Sequence, residues 1–137
     1  MSIQNAKTVR SGLATVITTG LTDLQAVYSY YPKNFGGLSP VCTIERLAIQ
    51  PNLKTQVTFQ SYDFAVTFWA LCDGASGSGL TAADAEDKLD DLLYALCTVL
   101  MANYNAEFYQ PSEQIQMAME SGNVYQMETH YVRISRP

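Results

Sequence analysis

Residues 59–71 read FQSYDFAVTFWAL, and their alternation decides the fold. In an extended strand Tyr62, Phe64, Val66, Phe68 and Ala70 share one face, while Asp63, Ala65, Thr67, Trp69 and Leu71 share the other. Both faces carry bulk, which predicts a central strand with helices over one face and a partial cover over the other. Trp69 beside Leu71 on that second face reads either as burial within the domain or as an apolar patch that meets another subunit. Pro51 and Asn52 break the chain before this strand.

After the strand comes CDGASGSGLT, whose glycines Gly74, Gly77 and Gly79 precede a helix. The spacing is not that of a phosphate-cradling loop: no Lys-Ser or Lys-Thr pair follows the last glycine, and there is no G-x-G-x-x-G order. A surface loop is the simpler reading. Thr81 is a good N-cap with Asp84 at the capping-box position, and Ala85, Leu89, Leu92, Leu93, Leu96 and Leu100 form one face of a helix ending near Asn103. Beyond NYNAEFYQPSE, the alternation of Ile115, Met117 and Met119, the turn Ser121-Gly122-Asn123 and the alternation from Val124 to Ile134 predict a closing hairpin.

Upstream, Ala6, Val9, Leu13, Val16 and Ile17 recur at helical spacing from about Asn5, and Gly20 closes that helix. Val27 to Pro32 is β-prone and stopped by proline, and the KNFGGLSP that follows is turn-rich. Val41 to Ile49 alternates as a strand. These elements predict an α+β fold spanning residues 1–137 as one domain, with an antiparallel or mixed sheet of about five strands packed against a long helix and an N-terminal helix.

Length and composition bound the function. The 137 residues, 47% hydrophobic and 15% charged, suffice for one core and are too weakly charged for a disordered chain. A formal charge of −5 disfavours a protein that lives on phosphate contacts. No apolar run is long enough to span a bilayer, and MSIQNAKTVRSGLATVITTG lacks a signal-peptide core, so a soluble chain made in the cytosol is expected.

Sites of chemistry are sparse. Cys42, Cys72 and Cys97 are widely spaced among apolar residues and read as free thiols in packing positions. The single histidine, His130, lies in the alternating VYQMETHYVRI and reads as a strand residue. Asp84, Asp87 and Asp91 share a helix face, with Glu86 and Asp90 nearby. That stripe is explained by a helix dipole that favours early negative charge and by solvation, with metal binding and a basic partner surface as alternatives. No catalytic, cofactor or metal site is assigned.

The strand FAVTFWAL, the helix TAADAEDKLDDLLYALCTVLMAN and the closing SGNVYQMETHYVRI, in this order over nearly the whole chain, resemble the tail terminator proteins of long-tailed bacteriophages. The resemblance implies a non-enzymatic structural protein of the virion. Its subunits form a ring, hexameric in that family, that caps the tail tube, stops tail growth and meets the head-completion or stopper protein, while genomic DNA passes through the lumen. Assembly in the host cytoplasm, a final place at the head–tail junction and no membrane contact follow from it. Nine tyrosines suit such a subunit, because tyrosine offers rigid contact area with a polar tip.

A ring of identical chains needs two unlike patches. The candidates are Tyr28, Tyr30, Tyr31 and Phe35 on one side, and Trp69 with Phe108 and Tyr109 on the other. Asp84, Asp87 and Asp91 would face the lumen or a basic tube surface. The alternatives are another head–tail connector or neck subunit and a small-molecule-binding α+β domain with aromatic residues lining its pocket.

Overall fold

The computed structural model describes residues 5–50, 61–73 and 79–136. Two helices and six strands follow the order α1 (Ala6–Gly20), β1 (Ala26–Tyr28), β2 (Val41–Gln50), β3 (Ser61–Asp73), α2 (Ala82–Asn103), β4 (Asn105–Phe108), β5 (Gln116–Glu120) and β6 (Asn123–Arg136). The fold is α+β, a mixed sheet against helices. Pro51, Asn52, Phe59, Gly74 and Gly77 lie outside the described residues.

Both helices begin as their sequences dictate. Asn5 Oδ1 accepts a hydrogen bond from the Lys7 amide and Thr81 Oγ1 from the Asp84 amide, each satisfying a donor that the first helical turn leaves unpaired. Val9, Leu13 and Ile17 of α1 and Ala85, Leu89, Leu92, Leu96 and Leu100 of α2 are buried, the spacing that brings one stripe onto a sheet.

The strands run β1-β2-β3-β6-β4, with β5 pairing the first part of β6 and β4 its last part. β3 is central, antiparallel to both β2 and β6, and Tyr62 to Leu71 are all buried. Tyr62, Phe64, Val66, Phe68 and Ala70 join the buried stripes of both helices in the main core. Phe35, Val41, Trp69, Leu71 and Tyr125 form a second core on the opposite face.

Three details differ from expectation. The strand read at Val27–Pro32 is only Ala26–Tyr28, and it lies parallel to β2. Tyr30 and Tyr31 leave the sheet because residues 29–40 turn over its second face. NAEF, within the polar stretch after α2, adds β4, which makes six strands where about five were expected. Gly20 ends α1 without a left-handed cap; the Leu21 amide closes the helix on the Ile17 carbonyl at 2.8 Å.

Gly20 serves packing instead. A Cβ there would stand 2.1 Å from Val99 Cγ1, so glycine lets α1 approach α2 closely. Gly20→Ala is therefore expected to destabilise the fold by about 1–3 kcal/mol through overpacking, despite alanine's better helix propensity. Val99→Ala in the same chain should recover part of the loss. Urea midpoints with an unchanged slope are the measurement.

Candidate functional site

The segment between β1 and β2 is a strap over the second face of the sheet. The Phe35 ring is 5.1 Å from Trp69, 5.4 Å from Tyr125 and 6.0 Å from Tyr28 between centroids. Four hydrogen bonds fix the strap: Phe35 amide to Glu120 Oε1 at 3.1 Å, Leu71 amide to Ser39 Oγ at 2.8 Å, Tyr125 hydroxyl to the Leu38 carbonyl at 3.0 Å, and Gln25 amide to the Pro40 carbonyl at 2.8 Å.

The aromatic candidates thereby separate by role. Phe35 and Trp69 are interior, 1% and 4% exposed, and Tyr28 is half-buried. Tyr30 and Tyr31 project outward, 61% and 53% exposed, with Tyr31 edge-on to Trp69 at 5.9 Å. Trp69 thus belongs with the tyrosine-rich segment, which corrects its grouping with Phe108 and Tyr109. Strand alternation could not show this, because it is the strap that carries Phe35 to Trp69.

Phe108 and Tyr109 lie at the far edge of the sheet. With Leu93, Cys97, Gln110, Pro111 and Ser112 they line a shallow surface groove of about 580 Å³. Tyr109 stacks beneath the Arg133 guanidinium, 4.6 Å from ring centroid to Cζ. Arg133 is held by Asp63 through Nε–Oδ1 at 2.8 Å and Nη2–Oδ2 at 3.1 Å, the bidentate geometry that suits a guanidinium.

Asp84, Asp87 and Asp91 are exposed in the first half of α2, as a solvated stripe requires. Glu86 and Asp90 are exposed as well; burial first, then the charges of Asp90 and Glu86, raise the Glu128 carboxyl of β6 above the usual range. Glu128 shares the helix-facing row of β6 with Gln126, His130, Val132 and Ile134, set by pairing of Phe68 with Glu128 and Val66 with His130.

His130 is fully buried, and burial lowers its pKa to about 4, so the ring is neutral at physiological pH. Its Nδ1 is 2.5 Å from Ser112 Oγ, which a neutral ring satisfies by accepting the hydroxyl proton. Nε2 stands 3.1 Å from Glu128 Oε1, yet neither atom makes an aligned hydrogen bond, and Gln126 Oε1 has no partner either. Three successive inward side chains therefore hold buried polar atoms without an aligned hydrogen bond.

Among the described residues, no three His, Cys, Asp or Glu side chains are grouped to hold a metal ion, and no helix is long and apolar enough to cross a membrane. Cys42 is buried and its thiol is pushed up by burial, which opposes nucleophilic reactivity. The chain matches no protein-family model and no curated protein. The sequence signal for this polar row was the alternation Gln126, Glu128, His130, three polar residues in a row that runs on to Val132 and Ile134. Its meaning depends on knowing that this row faces the helices.

His130 and Glu128 set opposing pH responses. Below the ordinary histidine pKa the unfolded chain binds a proton that folded His130 refuses until about pH 4, so this group lowers stability as pH falls from 6.5 to about 4. The loss amounts to about 3 kcal/mol at 1.36 kcal/mol per pKa unit. His130→Gln is expected to flatten that part of the stability profile relative to the parent chain. Glu128, whose folded pKa is raised, is strained while ionised, so Glu128→Gln should raise the melting temperature at pH 7. Denaturant titrations and thermal melts from pH 4 to 8 check both outcomes.

Proposed function

We propose that this chain is a structural subunit of a bacteriophage tail terminator: a ring that caps the tail tube, ends tail elongation and joins the tail to the head-completion or stopper protein. The reading rests on the resemblance in element order and sequence, and it agrees with the α+β architecture. One structural observation carries it beyond the resemblance. Large apolar side chains are exposed on unlike parts of the molecule: Tyr30, Tyr31 and Leu38 on the strap over the second face of the sheet, and Tyr94 and Met101 on α2 over the helix face, with Phe108, Met117 and Met119 on β4 and β5 beside β6.

A closed ring of identical subunits needs such unlike patches, because each copy presents one flank to the different flank of its neighbour. Exposed tyrosine and methionine suit contact surfaces, the first rigid with a polar tip, the second adaptable. Short edge strands favour the same use. β1 has 3 residues and β4 has 4, too short to template uncontrolled sheet pairing yet positioned for a specific neighbour. In this reading the net negative charge keeps DNA passing through the lumen from sticking, with no specific nucleic-acid contact.

Immunogold electron microscopy of particles from a lysate, with antibody raised against this chain, tests the assignment. Gold is expected at the head–tail junction and at one end of headless tails. Label on heads alone would transfer the chain to the neck, and particles without label would overturn both placements.

A further inference from the structure

We propose that β5 is a docking edge for a second copy of this chain: two β5 strands pair antiparallel about a two-fold axis at Ala118, joining two sheets into one. The proposal goes beyond the ring-subunit reading and does not rest on it. A ring joins unlike flanks, this contact joins like with like, and dihedral assemblies hold both kinds together.

The closing hairpin determines which groups β5 shows on its outer side. Ser121 and Gly122, with φ of 50° and 82°, form the two-residue turn whose flanking residues, Glu120 and Asn123, exchange both main-chain hydrogen bonds. Ala118 with Tyr125 and Gln116 with Met127 repeat that pattern along a register without a bulge. The N–H and C=O groups of Met117 and Met119 therefore point away from β6. Among the described residues β5 pairs no other strand, and no main-chain bond of a turn or loop engages those groups. The flanking side chains leave the edge open, with Met117 and Met119 60% and 78% exposed and Gln116 exposed as well.

The other edges of the sheet are guarded, and this one is not. β1 has 3 residues and its chain soon meets Pro32; β4 has 4, a register shift at its start and the exposed carboxylate of Glu107 within it. β5 has 5 residues in regular register and carries no Lys, Arg or Pro, the usual devices against edge-to-edge pairing. Its single charged side chain, Glu120, is turned beneath the strap onto the Phe35 amide.

Such an edge accepts extended chains through its main chain, and its side chains select a second copy. With Ala118 on the axis, Met117 faces the partner's Met119 and Met119 faces the partner's Met117, the outward-pointing pairs that exchange both hydrogen bonds. The methionines stand on the helix-side face, because they pair with Gln126 and Val124 of β6. Apolar contact thus forms where the lone subunit exposes its methionines. On the strap-side face Gln116 lies opposite the partner's Glu120, so no like charges are opposed. Ala118 leaves the strands room to meet. A ladder this short buries less than a standard interface, which makes the pairing weak and confines it to high concentration.

Sedimentation equilibrium, amide hydrogen exchange and cysteine oxidation test the pairing. The parent chain is expected to dimerise at tens to hundreds of micromolar, and over that range the Met117 and Met119 amides should gain protection. Met117→Lys with Met119→Lys sets lysine against lysine across the axis and should weaken association by roughly tenfold or more with the melting temperature unchanged. Met117→Leu with Met119→Leu should retain it. Ala118→Cys, in a chain with Cys72 and Cys97 replaced by serine, should oxidise to a linked dimer, because residues opposed at that position stand ~4.5 Å apart between Cα atoms, within disulfide reach. Gln116→Cys in the same background should not. A parent chain that stays monomeric, a dimer indifferent to the paired lysines, or equal cross-linking from Ala118→Cys and Gln116→Cys would overturn the proposal. Protection of Met117 and Met119 in a monomer only when an unrelated extended peptide is added would give the edge to a different protein and likewise overturn self-pairing.

Discussion

β3 is apolar on both faces, and a strand of that kind is stable only if two separate layers cover it. The helices form one layer, with α1 and α2 drawn together over Gly20. The strap of residues 29–40 forms the other, pinning Phe35 between Trp69 and Tyr125. Each layer leaves something outside. The helical layer presents the acidic and apolar flank of α2, and the strap presents Tyr30 and Tyr31. The surfaces assigned to assembly are thus the outer sides of the pieces that bury the central strand.

Polar groups in the sheet fall into two kinds. On the strap face most are satisfied locally: Trp69 Nε1 donates to Thr43 Oγ1 at 3.0 Å, Thr67 and Thr129 hydroxyls bond at 2.9 Å, and Asp63 grips Arg133. On the helix face Gln126, Glu128 and His130 are not fully satisfied. Buried polar atoms without a partner therefore remain on both faces, Glu120 Oε2 beside the strap and Gln126, Glu128 and His130 toward the helices.

The main lines of this fold are legible in the sequence because they depend on short-range periodicity. Both helix caps, both buried helical stripes, β2, β3 and the closing hairpin follow from residues within a few positions of one another. What the sequence withheld is long-range. The strap is held by contacts spanning up to 87 residues, such as Tyr125 to Leu38, and no local pattern announces that Phe35 reaches Trp69. β4 pairs the end of β6 through a sequence with little β preference, where register and not propensity decides. The polar row of β6 was half legible: the alternation put Glu128 and His130 on one face, while their burial depends on how the helices cover that face of the sheet.

The central claim is that unlike ends of identical chains meet. Its most direct measurement uses two variants, Tyr31→Cys and Tyr94→Cys, each in a background with Cys72 and Cys97 replaced by serine, treated with a short bismaleimide separately and as a mixture. Cross-linked dimers from the mixture, with little product from either variant alone, are the predicted result. Equal cross-linking of like with like, or none in the mixture at concentrations where the parent chain associates, would contradict a head-to-tail arrangement.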